Sequence, residues 1–210
     1  MPRRRLFLGL SLLGGAALVA GVGHRVWRDR PAPGSQADAL PDDVCLVAPT
    51  FAYDAASGQP PEAAREVPPE ARCPVCGMFP ARQRRWAAQA IFANGDVQYL
   101  DSPLNLFLYL QNVPRYTAGQ QAAGIVALYV TDLDTGEWVP AEQALYVHGS
   151  RLMGPMRSGN LPAFGSLAQA QAFIAQQGGE IRTMAQLQQA LPASLGRLAP
   201  HDHDAPSHAH

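Results

Sequence analysis

The sequence predicts an α+β fold made of two similar strand-strand-helix units with mostly antiparallel sheets. Two blocks of the chain repeat the same order of β-forming runs followed by a helix N-cap and an apolar stretch. Asn94-Gly95 is a strong hairpin signal, and hairpins join antiparallel strands. The composition places an N-terminal apolar export or anchor helix and a Pro/Ala-rich tether before these units.

The composition of the 210-residue chain suits one domain of ordinary size. Hydrophobic residues make up 47% and charged residues 16%, so the chain can build a core. The net charge is -1 and basic residues cluster only at the N-terminus, which argues against nucleic acid as a partner. The three cysteines, an odd number, do not form a disulfide framework.

Residues 1–30 form the predicted export signal or membrane anchor. Three arginines precede an uncharged apolar run, Leu6–Gly23, and the stretch resembles a twin-arginine signal. A helix of this run would be about 27 Å long, which is marginal for a bilayer. Small residues near Ala20 favour cleavage and the basic residues from Arg25 onwards favour a retained anchor, so both remain open. Either outcome places the protein on the periplasmic side, exported or anchored to the inner membrane.

The segment that follows, residues 31–70, is rich in Pro, Ala and Gly and is predicted as a flexible tether. Val44–Tyr53 is the exception, because its apolar residues and Cys45 suggest packing against the domain. At the other end, residues 196–210 hold four of the six histidines and no apolar cluster. That tail is predicted to be disordered.

The first unit opens the folded domain, which we place at residues 71–195. Ser102 is a good N-cap and Pro103 suits the first helical position, so a helix should start there. The predicted segments are a strand over Arg85–Ala93, a turn at Asn94-Gly95, a strand over Val97–Leu100 and a helix over Leu104–Gln111.

The second unit repeats this order after a turn at Asp134-Thr135-Gly136. Ser166 and Thr183 each precede a glutamine by three residues, as in a capping box. The predicted strands are Gly124–Thr131, Glu137–Pro140, Ala144–His148 and Glu180–Arg182, and the predicted helices run from the two caps to Gln177 and Leu191.

The motif Cys73-Pro-Val-Cys76-Gly-Met78 carries the chemistry of the predicted site. The spacing lets both sulfurs reach one centre, and the glycine lets Met78 turn its thioether back. Thiols and thioethers are soft ligands and favour Cu(I) over hard cations. A structural zinc site needs two more strong ligands, and His148 is the only histidine of the predicted domain.

Two other interpretations of the cysteine pair stay open at this point. A thioredoxin-like redox dithiol has the same Cys-x-x-Cys spacing, although in such proteins the motif normally opens a long helix. Here Phe79-Pro80 interrupts the chain after the motif. A structural disulfide between Cys73 and Cys76 is the simpler alternative in an oxidising compartment.

A second soft element lies downstream at Met153-Gly-Pro-Met156. Gly and Pro keep this loop open, so Met156 is predicted as a metal ligand and Met153 as a core residue. His148, at the end of a strand, is a further candidate ligand. Asp101 and Asp132 lie at strand ends and are predicted to cap or turn. No nucleophile elbow or carboxylate pair is present, so the chain is not predicted to be an enzyme.

Several of these motifs together resemble the nitrous oxide reductase accessory protein (NosL) family over residues 71–190. The matching segments are Cys73–Met78, Arg85–Gln89, the hairpin at Asn94-Gly95, Val130–Asp132, Gly136–Trp138, Tyr146–Ser150, Gly154–Met156 and Gly178–Glu180.

The resemblance implies a membrane-tethered copper chaperone that binds one Cu(I) and has a fold akin to the organomercurial lyase core. It implies delivery to nitrous oxide reductase together with an ABC-type assembly complex, and a ligand set on Cys76 and Met78 with Cys73 beside them. Met156 is our choice for the distant ligand. Typical members carry a lipoprotein cysteine where this chain has an arginine-led apolar segment, and the long tether and the His-rich tail are additions. These departures leave another copper enzyme open as client. The alternative function is a thiol oxidoreductase or an organomercurial-lyase-like enzyme.

Overall fold

A computed structural model describes residues 48–156, 160–192 and 195. The predicted anchor, the first part of the tether, Cys45 and the His-rich tail lie outside these residues. Within the described ranges, every helix is too short or too polar to cross a bilayer.

The first sheet has four strands, all paired antiparallel in the order β2-β1-β3-β4. Gly95 closes the β1–β2 hairpin with a left-handed φ of 83°, which glycine adopts without strain. All residues of β1 and β2 are buried, so these strands form the centre of the domain. The strands are β1 Ala88–Phe92, β2 Val97–Leu100, β3 Ile125–Thr131 and β4 Trp138–Pro140.

Helix α1, Pro103–Gln111, follows β2 directly. The hydroxyl of Ser102 accepts a hydrogen bond from the Asn105 N–H, so the predicted N-cap is formed. The helix is buried from Pro103 to Tyr109, which indicates a central helix with protein on every side. A single further turn, α2 Val113–Tyr116, comes next.

The second sheet has three antiparallel strands in the order β6-β5-β7. Its strands are β5 Leu145–His148, β6 Ala163–Phe164 and β7 Glu180–Thr183, and its helices are α3 Leu167–Gln177 and α4 Met184–Gln189. Thr183 forms a complete capping box with Gln186. The Ser166 hydroxyl accepts a hydrogen bond from the Gln169 N–H and donates one to the Gln169 side-chain oxygen. The glutamine side chain therefore bonds the serine hydroxyl, whereas in a capping box it bonds the backbone N–H of the N-cap residue.

One core joins the two sheets through α1. Phe107 of α1 meets Tyr146 of β5 edge to face, with ring centroids 5.2 Å apart. Asp132, at the end of β3, accepts a hydrogen bond from the Gly165 N–H at 2.7 Å. These contacts fix the position of the β2–α1 junction relative to both sheets.

The structure confirms the α+β class and the antiparallel pairing, with two differences in detail. β3 pairs with β1 and β4 pairs with β3 in the first sheet, so the strands of the predicted second unit are shared between the sheets. Residues Pro80–Trp86, part of which was predicted as strand, form a 3-10 segment instead. Pro80 suits the start of a helical turn, and the buried Trp86 ends it before β1 begins.

The prediction of a flexible tether is wrong for residues 54–70, which contact the first sheet, whereas the predicted packing of Val44–Tyr53 against the domain is confirmed at Phe51. Phe51 exchanges two backbone hydrogen bonds of 2.9 Å with Val97 of β2. The backbone N–H and carbonyl of Arg65 form two hydrogen bonds with the side chain of buried Gln89, and Val67 is buried. This segment covers one edge of the first sheet and leads the chain to the cysteine motif.

Candidate metal centre

The cysteine motif forms a closed turn in the structure. The Cys73 N–H donates to the Met78 carbonyl and the Gly77 N–H donates to the Cys73 carbonyl, both at 2.8 Å. Gly77 has a left-handed φ of 73°, which a side-chain-bearing residue adopts only with strain. The turn therefore holds both cysteines on one short loop.

This loop meets the β2–α1 junction. A sulfur of Cys73, a sulfur of Cys76 and a carboxylate oxygen of Asp101 lie within 4.8 Å of one another. Cys73 and Asp101 are buried and Cys76 is half-buried. Among the described residues, Cys73, Cys76 and Asp101 are the potential metal ligands that lie close enough together to hold one ion.

The two carboxylate oxygens of Asp101 differ in their hydrogen bonding. Its Oδ1 accepts hydrogen bonds from Asn105 Nδ2 at 2.5 Å and from Ser102 Oγ at 3.4 Å. Its Oδ2 is buried and has no hydrogen-bond partner within the described part of the chain. A buried carboxylate oxygen without a partner is costly, so a cation beside the two sulfurs fits this arrangement.

The electrostatics of the loop argue against a nucleophilic role for Cys76. The hydrogen bond with Cys73, then burial, then the charges of Cys73 and Asp101 raise the pKa of Cys76, against a smaller lowering by the Met78 backbone N–H. A nucleophilic redox cysteine needs a lowered pKa instead. A bound cation reverses this balance, because it replaces the thiol protons.

Met156 reaches the same junction from the second half of the chain. Its sulfur lies 3.8 Å from Asn105 Nδ2, the amide nitrogen that also bonds Asp101. Its side chain is 44% exposed, and that of Met78 is 40% exposed. Met153 was predicted as a core residue but is 55% exposed, because its loop lies outside both sheets.

His148 is not a member of the Cys73–Cys76–Asp101 group. It ends β5 opposite Glu180 of β7, and its Nδ1 lies 3.4 Å from a Glu180 oxygen. The hydrogen bond from Arg182, followed by that from His148, lowers the pKa of Glu180. His148 thus lies opposite Glu180 as its cross-strand neighbour in the second sheet.

Sequence reasoning missed Asp101, which was assigned a capping or turning role. The signal in the sequence is weak, because an aspartate after a strand and before an N-cap is common. What distinguishes Asp101 is its burial and its tie to Asn105, and both depend on the folded chain.

Comparisons with known proteins identify the family. The family model for NosL matches residues 64–192, which is more than half of the chain. The chain belongs to the NosL family. The "Copper-binding lipoprotein NosL" of Achromobacter cycloclastes is 30% identical over 102 residues, which cover 43% of this chain and 53% of that relative. This NosL-family chain thus spans about half the length of the relative.

A solved structure shares the fold. The crystal structure of the copper chaperone NosL from Shewanella denitrificans superposes with a TM-score of 0.51 at 24% identity, over 62% of this chain and 99% of that one. Both relatives are named for copper binding or copper delivery and not for catalysis. These names agree with the prediction that this NosL-family chain is not an enzyme.

Proposed function

We propose that the chain is a Cu(I)-binding metallochaperone. The observation that carries this proposal is the convergence of two thiol sulfurs with a carboxylate oxygen of buried Asp101, whose Oδ2 has no hydrogen-bond partner among the described residues. The ligands that we propose are Cys76, Met78, Cys73 and Met156, with Asp101 on the buried side. His148 is left out of this set because it pairs with Glu180.

The donor atoms support Cu(I) as the cargo. Thiolates and thioethers are soft ligands that select Cu(I), whereas structural zinc prefers four strong Cys or His ligands. The described cluster offers two cysteines and one carboxylate. The exposed thioethers of Met78 and Met156 are soft but weak ligands for zinc, so they favour copper.

The exposure of these side chains supports transfer over storage. Cys73 and Asp101 are buried on one side of the cluster. Cys76 is half-buried, and Met78 and Met156 face solvent. A partner can therefore add its own ligand from the open side before the buried ligands release the ion.

We further propose delivery on the periplasmic side to nitrous oxide reductase or a related copper enzyme, with an ABC-type copper-site assembly complex. The apolar segment Leu6–Gly23 supports export, with membrane attachment if it is retained. The Achromobacter cycloclastes relative is named a lipoprotein, which agrees with an exported location for the family.

The distant ligand can be tested by Cu(I) X-ray absorption on the wild type and Met156→Leu. We expect one Cu(I) per chain in both, with one fewer sulfur scatterer in Met156→Leu because leucine has no donor atom. Met153→Leu is the matched control, since Met153 is also exposed and lies in the same loop. An unchanged sulfur count in Met156→Leu would remove Met156 from the ligand set.

The client can be tested by mixing the Cu(I)-loaded chain with copper-free nitrous oxide reductase and the ABC-type complex. We expect copper to move from the loaded chain to the reductase, measured as the copper content of the re-isolated reductase, because the open side of the site permits ligand exchange. The Cys76→Ser variant serves as the control. If the loaded wild type transfers no more copper than this variant, the reductase is not the client.

A further inference from the structure

The segment around the cysteine loop is strongly basic. Residues 71–86 contain four arginines and no aspartate or glutamate, although the whole chain has a net charge of -1. This concentration of positive charge beside the candidate metal centre has no role in binding a cation. It needs a separate explanation.

Two of the four arginines have partners within the protein. Arg84 forms an ion pair with Glu66 at 3.2 Å, and Arg85 donates to the Asp134 carbonyl at 2.7 Å. Arg72 and Arg82 are exposed, and neither forms an ion pair with a carboxylate in the described ranges. Their charges are available to another molecule.

Phe79 holds these two arginines in place. The guanidinium carbons of Arg72 and Arg82 lie 4.3 and 4.5 Å from the centre of its ring, within cation–π range. Arg72 precedes Cys73, and Phe79 follows the exposed Met78. We call Arg72 and Arg82, stacked on Phe79, the arginine pair. Because their guanidinium groups are already positioned, less side-chain freedom is lost on binding.

We propose that the arginine pair is the docking surface for an acidic protein surface that surrounds the copper-accepting site of the partner. This inference rests on the proposed function, since it takes the partner to be a copper acceptor. Carboxylates of the partner would pair with Arg72 and Arg82. Such docking would place the acceptor's soft ligands beside Met78.

A protein surface fits this patch better than an anionic membrane. Polybasic segments that hold lipids carry about four to eight basic residues. Within residues 71–86, only three arginines lack a carboxylate partner among the described residues. The pair is also set beside an exposed thioether, which a lipid headgroup cannot use. Charge complementarity of this kind steers association and sets orientation.

The direct test measures docking without copper. Two fluorescent peptides share one Met-x-x-Met acceptor motif, flanked by glutamates in one and by glutamines in the other. Titration with the full metal-free chain at low salt, followed by anisotropy, should give about tenfold tighter binding of the glutamate peptide. The preference should shrink as salt rises, because exposed charges are screened.

Substitutions then locate the contact. Arg72→Gln with Arg82→Gln should abolish the preference for the glutamate peptide. Arg182→Gln, which removes an exposed charge from the second sheet, should retain it. Phe79→Leu keeps both charges but removes the ring that positions them, so it should lose about half of the preference on a logarithmic scale.

Three results would overturn the docking proposal. The first is equal affinity of the wild type for the two peptides. The second is a loss of the glutamate preference in Arg182→Gln as large as that in the double variant. The third is a wild type that shows no peptide preference but binds phosphatidylglycerol vesicles, with that vesicle binding lost in the double variant. Cu(I) loading is measured separately on the same variants and should not change. If the chain binds no Cu(I) but keeps the peptide preference, the chaperone function fails while the acidic docking surface stands.

Discussion

Replacing Cys76 with serine should lower the affinity for Cu(I) by more than about 100-fold, beyond the loss typical of outer-shell changes at metal sites. Serine keeps the shape of the side chain but exchanges a soft sulfur for a hard oxygen whose proton is not lost at neutral pH. Cys76 is also the half-buried member of the cluster, so it contacts both the buried ligands and the open side.

The measurement is an anaerobic competition titration against a Cu(I) chelator with the reduced protein. Cys45→Ser is the matched control and should leave the affinity unchanged, because the proposed ligand set does not include Cys45. Cys73→Ser should also weaken binding. An affinity for Cys76→Ser equal to that of the wild type would end the proposal that the cysteine loop holds copper.

Local signals in the sequence were sufficient for most of the fold. Asn94-Gly95 located the β1–β2 hairpin, and the caps at Ser102 and Thr183 located the starts of two helices within a residue. These features depend on a few neighbouring residues, so a single sequence contains them. The allocation of β3 and β4 to the first sheet depends on packing between distant segments, and no local pattern specifies it.

The candidate site shows the same division between local and distant information. The cysteine loop could be found because its ligands lie within six residues, and Met156 because it follows an open Gly-Pro turn. Asp101 could not be found, since its importance comes from a buried oxygen near two sulfurs that are distant in sequence. Met153 was misassigned because methionine is common both in cores and on surfaces.

Gly179→Ala should lower the free energy of unfolding by about 3–5 kcal/mol, more than Gly136→Ala does. Gly179 has a φ of 101°, which residues with a side chain rarely adopt. A Cβ there would lie 2.7 Å from Val147 Cγ1 and 2.8 Å from the His148 carbonyl oxygen. Val147 is fully buried and the oxygen belongs to strand β5, so neither can move away easily.

Gly136→Ala separates the two causes of that loss. Gly136 also has a left-handed φ, 78°, but a Cβ there would meet no atom within 4 Å. It should therefore lose only the backbone contribution, about 1–2 kcal/mol. Urea unfolding of both variants, followed by circular dichroism, gives the two free energies. If Gly179→Ala is no less stable than Gly136→Ala, the β5–β7 region is loose enough to absorb a methyl group, and the close approach of Gly179 to β5 does not limit stability.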